Sequence, residues 1–228
     1  MNVAIVVAGG KGIRFGSDRP KQFLELNGTP VIIHTLRQFE LCREIESVVI
    51  VLPAEDMAGF ASLQQKFSLQ KVWRVVSGGA TRAQSVANGL AAIDDAEVIA
   101  VHDGVRPLVT PDEIDQVVRM AVQSGAAILV STVPDTIKEV TDGQVTRTLP
   151  RANLRRALTP QCFRRDILRR AYEQLAEVES AGLEVSDDSF LVERLGVEVV
   201  AIEGSARNIK ITTAEDLVVA EALLKTSS

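Results

Sequence analysis

Apolar runs without alternation recur along the chain, and they predict strands that are buried on both faces. They lie at 3–7, 47–53, 72–77, 97–103 and 126–132. Segments with the apolar spacing of amphipathic helices separate these runs, so predicted strands and helices alternate. This order predicts a mostly parallel sheet joined by right-handed crossovers, in a doubly wound α/β fold.

Start signals help to place the helices. Thr110 can cap a helix N-terminus, Pro111 suits its first position, and two acids follow in its first turn. Helices are predicted at about 30–42, 55–66, 81–93, 110–122, 164–178 and 187–195, and from Thr213 onward. A last strand is predicted at 196–203. The alternation therefore continues towards the end of the chain.

The pattern changes after residue 133. The stretch "TIKEVTDGQVTRTL" (136–149) holds two short β-runs around Asp142-Gly143, which is a hairpin signal. A hairpin inserted in an α/β sheet commonly projects as an arm, and we expect this arm at about 134–152. No internal repeat, low-complexity tract or long linker is visible. We therefore predict a single Rossmann-like domain over 1–228 that carries a β-hairpin arm.

Composition narrows the choice of partners. The 228-residue chain is 46% hydrophobic and 24% charged, an ordinary mixture for a globular protein. Its formal net charge is −5, so broad binding to nucleic acid or to an anionic membrane is not expected. No apolar run approaches the roughly 20 residues of a membrane span. Any positively charged site must therefore be local.

The two cysteines point to a reducing compartment. Cys42 and Cys162 are far apart in sequence and form no zinc-ligand spacing, so we expect buried, unpaired thiols in the cytoplasm. The first strand begins within two residues of Met1, with no basic region ahead of an apolar segment. No export signal is therefore expected.

The first strand leads into a glycine-rich loop. Glycines at positions 9, 10, 12 and 16 let backbone N–H groups approach a ligand closely, and such loops commonly hold phosphate. The triphosphate P-loop motif fails because Gly12 follows Lys11 where Ser or Thr is needed. The dinucleotide motif fails because Phe15 stands where the third glycine belongs.

Two cations belong to this loop. Arg14 lies two positions after Gly12, and Lys21 follows a proline. Because a triphosphate needs several positive partners, both side chains are predicted to bind one. Arg19 is interpreted as a solvated charge.

Seven segments in chain order resemble one family of nucleotidyltransferases, the 2-C-methyl-D-erythritol 4-phosphate cytidylyltransferases. The resemblance covers nearly the whole chain, and a related family, the ribitol-5-phosphate cytidylyltransferases, shares most of the segments. They read "AGGKGIRFG" with "PKQF", "VSGGATRAQSVANGL", "HDGVRPL", "VPDTIKEV", "LPRANLRRALTPQCF", "SDDSFLVERLG" and "NIKITTAEDL".

The resemblance implies transfer of CMP from CTP to the phosphate of 2-C-methyl-D-erythritol 4-phosphate, with release of pyrophosphate, in non-mevalonate isoprenoid synthesis. The nucleophile would be a phosphate oxygen that is largely ionised at neutral pH. It would need no general base, which suits a chain with two histidines. Catalysis would then depend on positioning and on stabilising charge at the α-phosphorus.

The resemblance also assigns roles to individual residues. Catalysis is assigned to Arg14, Lys21, Arg151 and Lys210. Nucleotide binding is assigned to the backbone of Ala8, Gly9, Gly10 and Gly12 and to Gly78, Gly79, Arg82 and Ser85. Binding of the second substrate is assigned to Asp103, Arg106, Thr136, Arg151, Thr159, Ser186 and Lys210.

Asp103 can also be placed without the family. It ends the predicted strand "VIAVHD", and ligands of doubly wound sheets bind beyond the carboxyl ends of strands. A carboxylate there could hold Mg²⁺, or another divalent cation, against phosphate oxygens. His102 is expected to pack or hydrogen-bond beside the site, and His34 is interpreted as structural.

In the family that the chain resembles, the arm reaches into the neighbouring subunit of a homodimer. We therefore expect a homodimer through the arm, with CTP and a polyol phosphate as small-molecule substrates. Gly9 and "HDGVRP" lean towards the ribitol-phosphate family, while "RANLRRALTPQ" leans towards the methylerythritol family. The alternatives are another sugar-phosphate nucleotidyltransferase, or a nucleotide-binding module that lacks activity.

Overall fold

A computed structural model of the chain describes residues 1–9 and 20–226. Eleven strands and eight α-helices are assigned within these ranges. The strands are β1 (Asn2–Val7), β2 (Glu25–Leu26), β3 (Thr29–Pro30), β4 (Ser47–Leu52), β5 (Val72–Ser77), β6 (Val98–Asp103), β7 (Ala126–Thr132), β8 (Ile137–Thr141), β9 (Gln144–Leu149), β10 (Arg155–Arg164) and β11 (Val200–Glu203). The helices are α1 (Val31–Leu41), α2 (Met57–Lys66), α3 (Arg82–Ala91), α4 (Pro111–Ser124), α5 (Arg165–Glu173), α6 (Leu175–Ser180), α7 (Asp188–Glu193) and α8 (Ala214–Lys225).

Seven strands form one central sheet in the order β11-β7-β10-β6-β1-β4-β5. All its neighbouring strands are parallel except β10, which is antiparallel to both β6 and β7. The prediction of a mostly parallel, doubly wound sheet is confirmed. From β1 the chain continues to β4 and β5 on one side and then returns to β6 on the other. The carboxyl ends of β1 and β6 therefore flank the crevice where such sheets bind ligands.

The sheet lies between two apolar layers. All six residues of β1 are buried, as the run of apolar residues predicts for a strand covered on both faces. One layer packs α1 and α4 against the sheet, and the other packs α3 and α5 against its opposite face. Within the described ranges, no helix combines the length and the apolarity needed to cross a membrane.

Strand β10 was not predicted. Its sequence "RRALTPQCFR" contains Pro160 and several polar residues, which argue against a central strand. The structure accommodates them because the pairing of β10 with β7 shifts register between Ala157 and Gln161. Two other elements are shorter than predicted. The helix expected at 164–178 divides at Gln174, and the last strand covers only Val200–Glu203.

The predicted hairpin is confirmed. Strands β8 and β9 form a separate antiparallel sheet, and residues 138–148 are exposed. The turn residues Asp142 and Gly143 have φ angles of 51° and 78°. Positive φ at both central positions matches the twist of a tight hairpin and explains the Asp-Gly pair. The assignment of residues 1–228 to one domain stays a prediction.

Gly89 marks a close approach of α3 to the sheet. A Cβ atom there would lie 2.7 Å from Ile5 Cγ2 and 3.1 Å from Val51 Cγ2, both in the core. We expect Gly89→Ala to lower the free energy of unfolding by about 1–3 kcal/mol because of overpacking. Gly59→Ala on α2 is the matched control, since its Cβ would meet no atom within 4 Å. The control should raise stability by up to about 1 kcal/mol. Urea unfolding measures both, and equal stabilities would contradict this packing.

Candidate functional site

Two adjoining cavities open at the carboxyl ends of β1 and β6. The larger has a volume of about 500 Å³ and the smaller of about 190 Å³. Arg82, Asp103 and Lys210 line both, so these three side chains form a shared wall. The larger cavity is further lined by Val7, Ala8, Gly9, Lys21, Gln22, Gly79, Ala80, Thr81, Ser85 and Val105. The smaller is further lined by Arg106, Ala157, Leu158, Thr159, Gln161, Ser186 and Asp187.

Asp103 is the centre of the shared wall. Arg82 Nε lies 2.9 Å from its Oδ1, while Arg106 Nε and Lys210 Nζ lie 3.2 and 2.9 Å from its Oδ2. Burial alone would raise the pKa of this carboxyl group. The positive charges of Arg82, Lys210 and Arg106 outweigh that effect and hold the pKa of Asp103 well below its ordinary value. The group is therefore an ionised carboxylate held by three cations.

Separate elements bring these cations together. Arg82 is the first residue of α3, whose N-terminus Thr81 caps by accepting a hydrogen bond from Gln84 N. Arg106 lies in the turn after β6, where its N–H donates to Asp103 O at 3.0 Å. The segment around Lys210 runs beside this turn, because Ile211 N donates to Val105 O at 2.9 Å. Buried Ile211 anchors that segment and leaves the amine of Lys210 in the cavity wall.

A second buried carboxylate holds Arg82 from the other side. Arg82 Nη2 donates to Asp188 Oδ2 at 2.8 Å, and Tyr172 OH donates to Asp188 Oδ1 at 2.6 Å. Burial alone would lower the pKa of Arg82, but Asp188 and Asp103 together raise it well above its ordinary value. Burial, with Asp188 nearby, likewise raises the pKa of Tyr172 well above its usual range. The guanidinium group is thus fixed between two acids.

Sequence reasoning missed this support. Asp188 lies inside the segment "SDDSF", and its pairing with Arg82 joins residues 106 positions apart. Gln161 completes the support, since its Oε1 accepts from Asp188 N and Ser189 N and its Nε2 donates to Asp187. Gln161 belongs to β10, the strand that the sequence pattern did not reveal.

Small residues shape the floor of the larger cavity. A Cβ atom on Gly78 would lie 3.1 Å from Ser85 Oγ and 3.6 Å from Gly9 Cα, so the two backbones touch. Ser85 Oγ accepts from Gly79 N and donates to Thr81 O. The serine therefore ties the turn after β5 to the first turn of α3. These contacts place Gly9, Gly79 and Ser85 together in the lining of the larger cavity, and their predicted binding of a nucleotide stays a prediction.

Not every predicted residue is brought to this wall. Gly10, Gly12 and Arg14 lie outside the described residues. Thr136 and Arg151 lie at the base of the arm, are exposed, and line neither cavity. Arg151 Nη1 donates instead to the carbonyl of Pro134.

Gln22 is a further residue that the sequence did not single out. It follows Lys21 in the segment "PKQF", lines the larger cavity and is fully buried. Neither atom of its amide has a hydrogen-bond partner in the part of the chain that the structure describes. Since buried amides are normally paired, this side chain is a candidate for contact with a ligand.

Comparisons of sequence and of structure with known proteins all match one family. A sequence profile of the 2-C-methyl-D-erythritol 4-phosphate cytidylyltransferase family matches residues 2–226. The protein of that name from Syntrophus aciditrophicus is 42% identical over 226 residues, covering 98% of this chain and 95% of that protein. The one from Pelotomaculum thermopropionicum is 44% identical over 225 residues, covering 97% and 93%.

Solved structures are similar to this chain over the same length. The crystal structure of 2-C-methyl-D-erythritol 4-phosphate cytidylyltransferase from Thermus thermophilus has a TM-score of 0.79 and 34% identity, covering 99% of this chain and all of that one. The 4-diphosphocytidyl-2C-methyl-D-erythritol synthase from Anaerococcus prevotii has a TM-score of 0.86 and 29% identity, covering 98% and 96%. The similarity is therefore not confined to the glycine-rich segment.

Asp188 gives a test of the buried network. We expect Asp188→Asn to lower the free energy of unfolding by about 3 kcal/mol or more, because it leaves Arg82 with one buried carboxylate instead of two. Glu44→Gln is the matched control, since it breaks the more exposed pair of Glu44 with Arg119. The control should cost at most about 1 kcal/mol. Denaturant unfolding compares the variants, and a cost for Asp188→Asn no larger than the control would exclude a strong pair.

Proposed function

Because the chain belongs to the 2-C-methyl-D-erythritol 4-phosphate cytidylyltransferase family, we propose that its two adjoining cavities transfer a cytidylyl group from CTP to 2-C-methyl-D-erythritol 4-phosphate. The products are pyrophosphate and CDP-methylerythritol, an intermediate of non-mevalonate isoprenoid precursor synthesis. The observation that carries the proposal is the wall shared by both cavities, where Arg82 and Lys210 surround Asp103. Two anionic substrates can meet only where positive charge offsets their repulsion.

The larger cavity suits the nucleotide. It adjoins the end of the glycine-rich loop through Ala8 and Gly9, and Lys21 lies in its wall. Backbone N–H groups of the loop, including Gly10 and Gly12, would contact the triphosphate together with Arg14 and Lys21. Gly78, Gly79 and Ser85 would form the turn against which base and ribose rest. The smaller cavity takes the polyol phosphate beside Arg106, Ser186 and Lys210.

The chemistry requires charge rather than a general base. An ionised oxygen of the polyol phosphate attacks the α-phosphorus of CTP and forms a new P–O bond. The bond from the α-phosphorus to its bridging oxygen breaks, and pyrophosphate leaves with the electron pair. Lys210 and Arg82, which border both cavities, orient the two phosphates and stabilise the negative charge that develops. His102 takes no proton in this step because it is fully buried.

Asp103 fits a role as one protein ligand of Mg²⁺ or another divalent cation. Its carboxylate is ionised, and its Oδ1 carries one hydrogen bond, from Arg82. Among residues 1–9 and 20–226, no group of three or more His, Cys, Asp or Glu could hold a metal, so phosphate and water would complete the ligand set. When bound, the ion would neutralise phosphate charge and orient the triphosphate.

The arm suits contact with a second subunit. Its strands expose Val140 and Val145, and Thr136 and Arg151 stand at its base, away from both cavities. In a homodimer held by the arms, these two residues would reach the smaller cavity of the neighbouring subunit. Free, buried cysteines favour a reducing compartment, so we place the reaction in the cytoplasm.

Pyrophosphate release tests the reaction. The protein should release pyrophosphate from CTP with methylerythritol phosphate, and only when Mg²⁺ is present. Lys210→Met should lower kcat by about 10²–10³ because one stabilising cation is lost. Lys225→Met, at an exposed position of α8, is the matched control and should leave kcat unchanged. Release with ribitol phosphate alone would assign the other polyol, and no release with either would indicate an inactive module.

Mixing two inactive variants tests the shared site. Arg151→Ala and Lys210→Ala should each be inactive, because each removes one cation from every site. In such a mixture, half of all dimers pair one variant with the other. If Arg151 serves the neighbouring subunit, each of these heterodimers carries both changes in one site and neither in the other. A 1:1 mixture exchanged through the monomer should then recover about a quarter of the wild-type activity. A mixture that stays inactive, with dimer exchange shown by mass spectrometry, would place Arg151 elsewhere.

A further inference from the structure

A closed ring of four hydrogen bonds lies behind Asp103 and joins β6, β10 and the turn after β6. One of the four is the bond from Arg106 N to Asp103 O. His102 Nε2 lies 3.2 Å from Arg106 O, and His102 Nδ1 lies 3.0 Å from Thr159 Oγ1. Asp103 N donates to the same Thr159 Oγ1 at 3.2 Å. His102, Asp103 and Thr159 are all at most 5% exposed, so water does not compete for these bonds.

The geometry fixes the position of each proton. Arg106 O is a carbonyl oxygen and can only accept, so His102 Nε2 must carry the hydrogen. His102 is fully buried and its two nitrogens meet an uncharged carbonyl and an uncharged hydroxyl, so the imidazole is neutral and Nδ1 has a lone pair. Thr159 must then donate its only hydroxyl hydrogen to Nδ1. Its oxygen accepts from Asp103 N, which leaves one lone pair unused.

This arrangement has a consequence for Thr159. The resemblance to the family predicts that it binds the polyol phosphate, and it does line the smaller cavity. An ionised phosphate oxygen is an acceptor, however, and the Thr159 hydroxyl has no hydrogen left to donate. Its remaining lone pair could accept from a substrate hydroxyl but cannot pair with phosphate.

We propose that His102 is a positioning residue that acts through Thr159 on Asp103, and that the Thr159 hydroxyl serves this ring rather than the substrate phosphate. The ring fixes the end of β6 against β10, so that the Asp103 carboxylate faces Arg82 and Lys210 in the shared wall. Asn208 strengthens the same junction, since its side-chain Nδ2 donates to Thr159 O at 2.8 Å and its backbone carbonyl accepts from Arg106 Nη1 at 2.8 Å.

Nitrogen NMR of the histidine imidazoles tests this hydrogen-bond ring directly, without reference to activity. The chain has two histidines, so His34→Asn leaves the His102 ring as the sole signal. At pH 7.5, His102 should show the Nε2–H tautomer with a hydrogen-bonded Nδ1. Thr159→Val should move the Nδ1 shift towards that of a free lone pair, and Thr159→Ser should restore it. An Nδ1–H tautomer, or an Nδ1 shift that Thr159→Val leaves unchanged, would overturn the proposal.

Binding of CTP without the second substrate tests the positioning role, which rests on the proposed function. If Thr159 acts through Asp103, Thr159→Val should weaken binding of CTP with Mg²⁺ by about fivefold, the effect of one lost hydrogen bond. Thr159→Ser should bind as the wild type does. Unchanged CTP affinity with a raised KM for the polyol phosphate would show direct substrate contact instead. Wild-type protein that binds no CTP would refute the proposed function. The NMR result would still show whether the hydrogen-bond ring through His102 and Thr159 exists.

Discussion

The site depends on one buried carboxylate that is compensated by three cations. Removing Asp103 from water costs free energy, and the positive charges of Arg82, Arg106 and Lys210 offset that cost. The dependence is mutual, because these cations would repel each other at such short distances without the shared anion. A phosphate that enters either cavity therefore meets positive charge that is already gathered, and needs only to compete with Asp103 for it.

The fold explains why the charges gather there. Val7 of β1 and Asp103 of β6 lie in register at the point where the chain turns from one side of the sheet to the other. The glycine-rich segment leaves one of these strands and the turn holding Arg106 leaves the other. β10, antiparallel between β6 and β7, adds Thr159 and Gln161 to the same edge. Charged groups distant in sequence thus meet because the strand order places their elements side by side.

Sequence alone predicted the parts of this picture that depend on local pattern. The strands, the Thr110 cap and the Asp142-Gly143 turn each have a short-range physical cause, and the structure has them all. The prediction of burial on both faces was wrong for β5, which lies at the edge of the sheet and buries only Val72. The antiparallel strand β10 was not predicted because Pro160 and polar residues hide its pattern. The supporting roles of Asp188 and Gln161 were not predicted either, because they depend on contacts with Arg82 and α7 that no sequence spacing reveals. The roles assigned to individual site residues, among them Arg14, Thr136 and Arg151, stay predictions.

A crystal structure of the protein with CTP and Mg²⁺ is the most direct test of the central claim. The account predicts a triphosphate in the larger cavity, with Arg82 and Lys210 within hydrogen-bond distance of phosphate oxygens while Asp103 stays at the junction of the cavities. A triphosphate bound away from the shared wall, with Arg82 and Lys210 still turned to Asp103 alone, would contradict it.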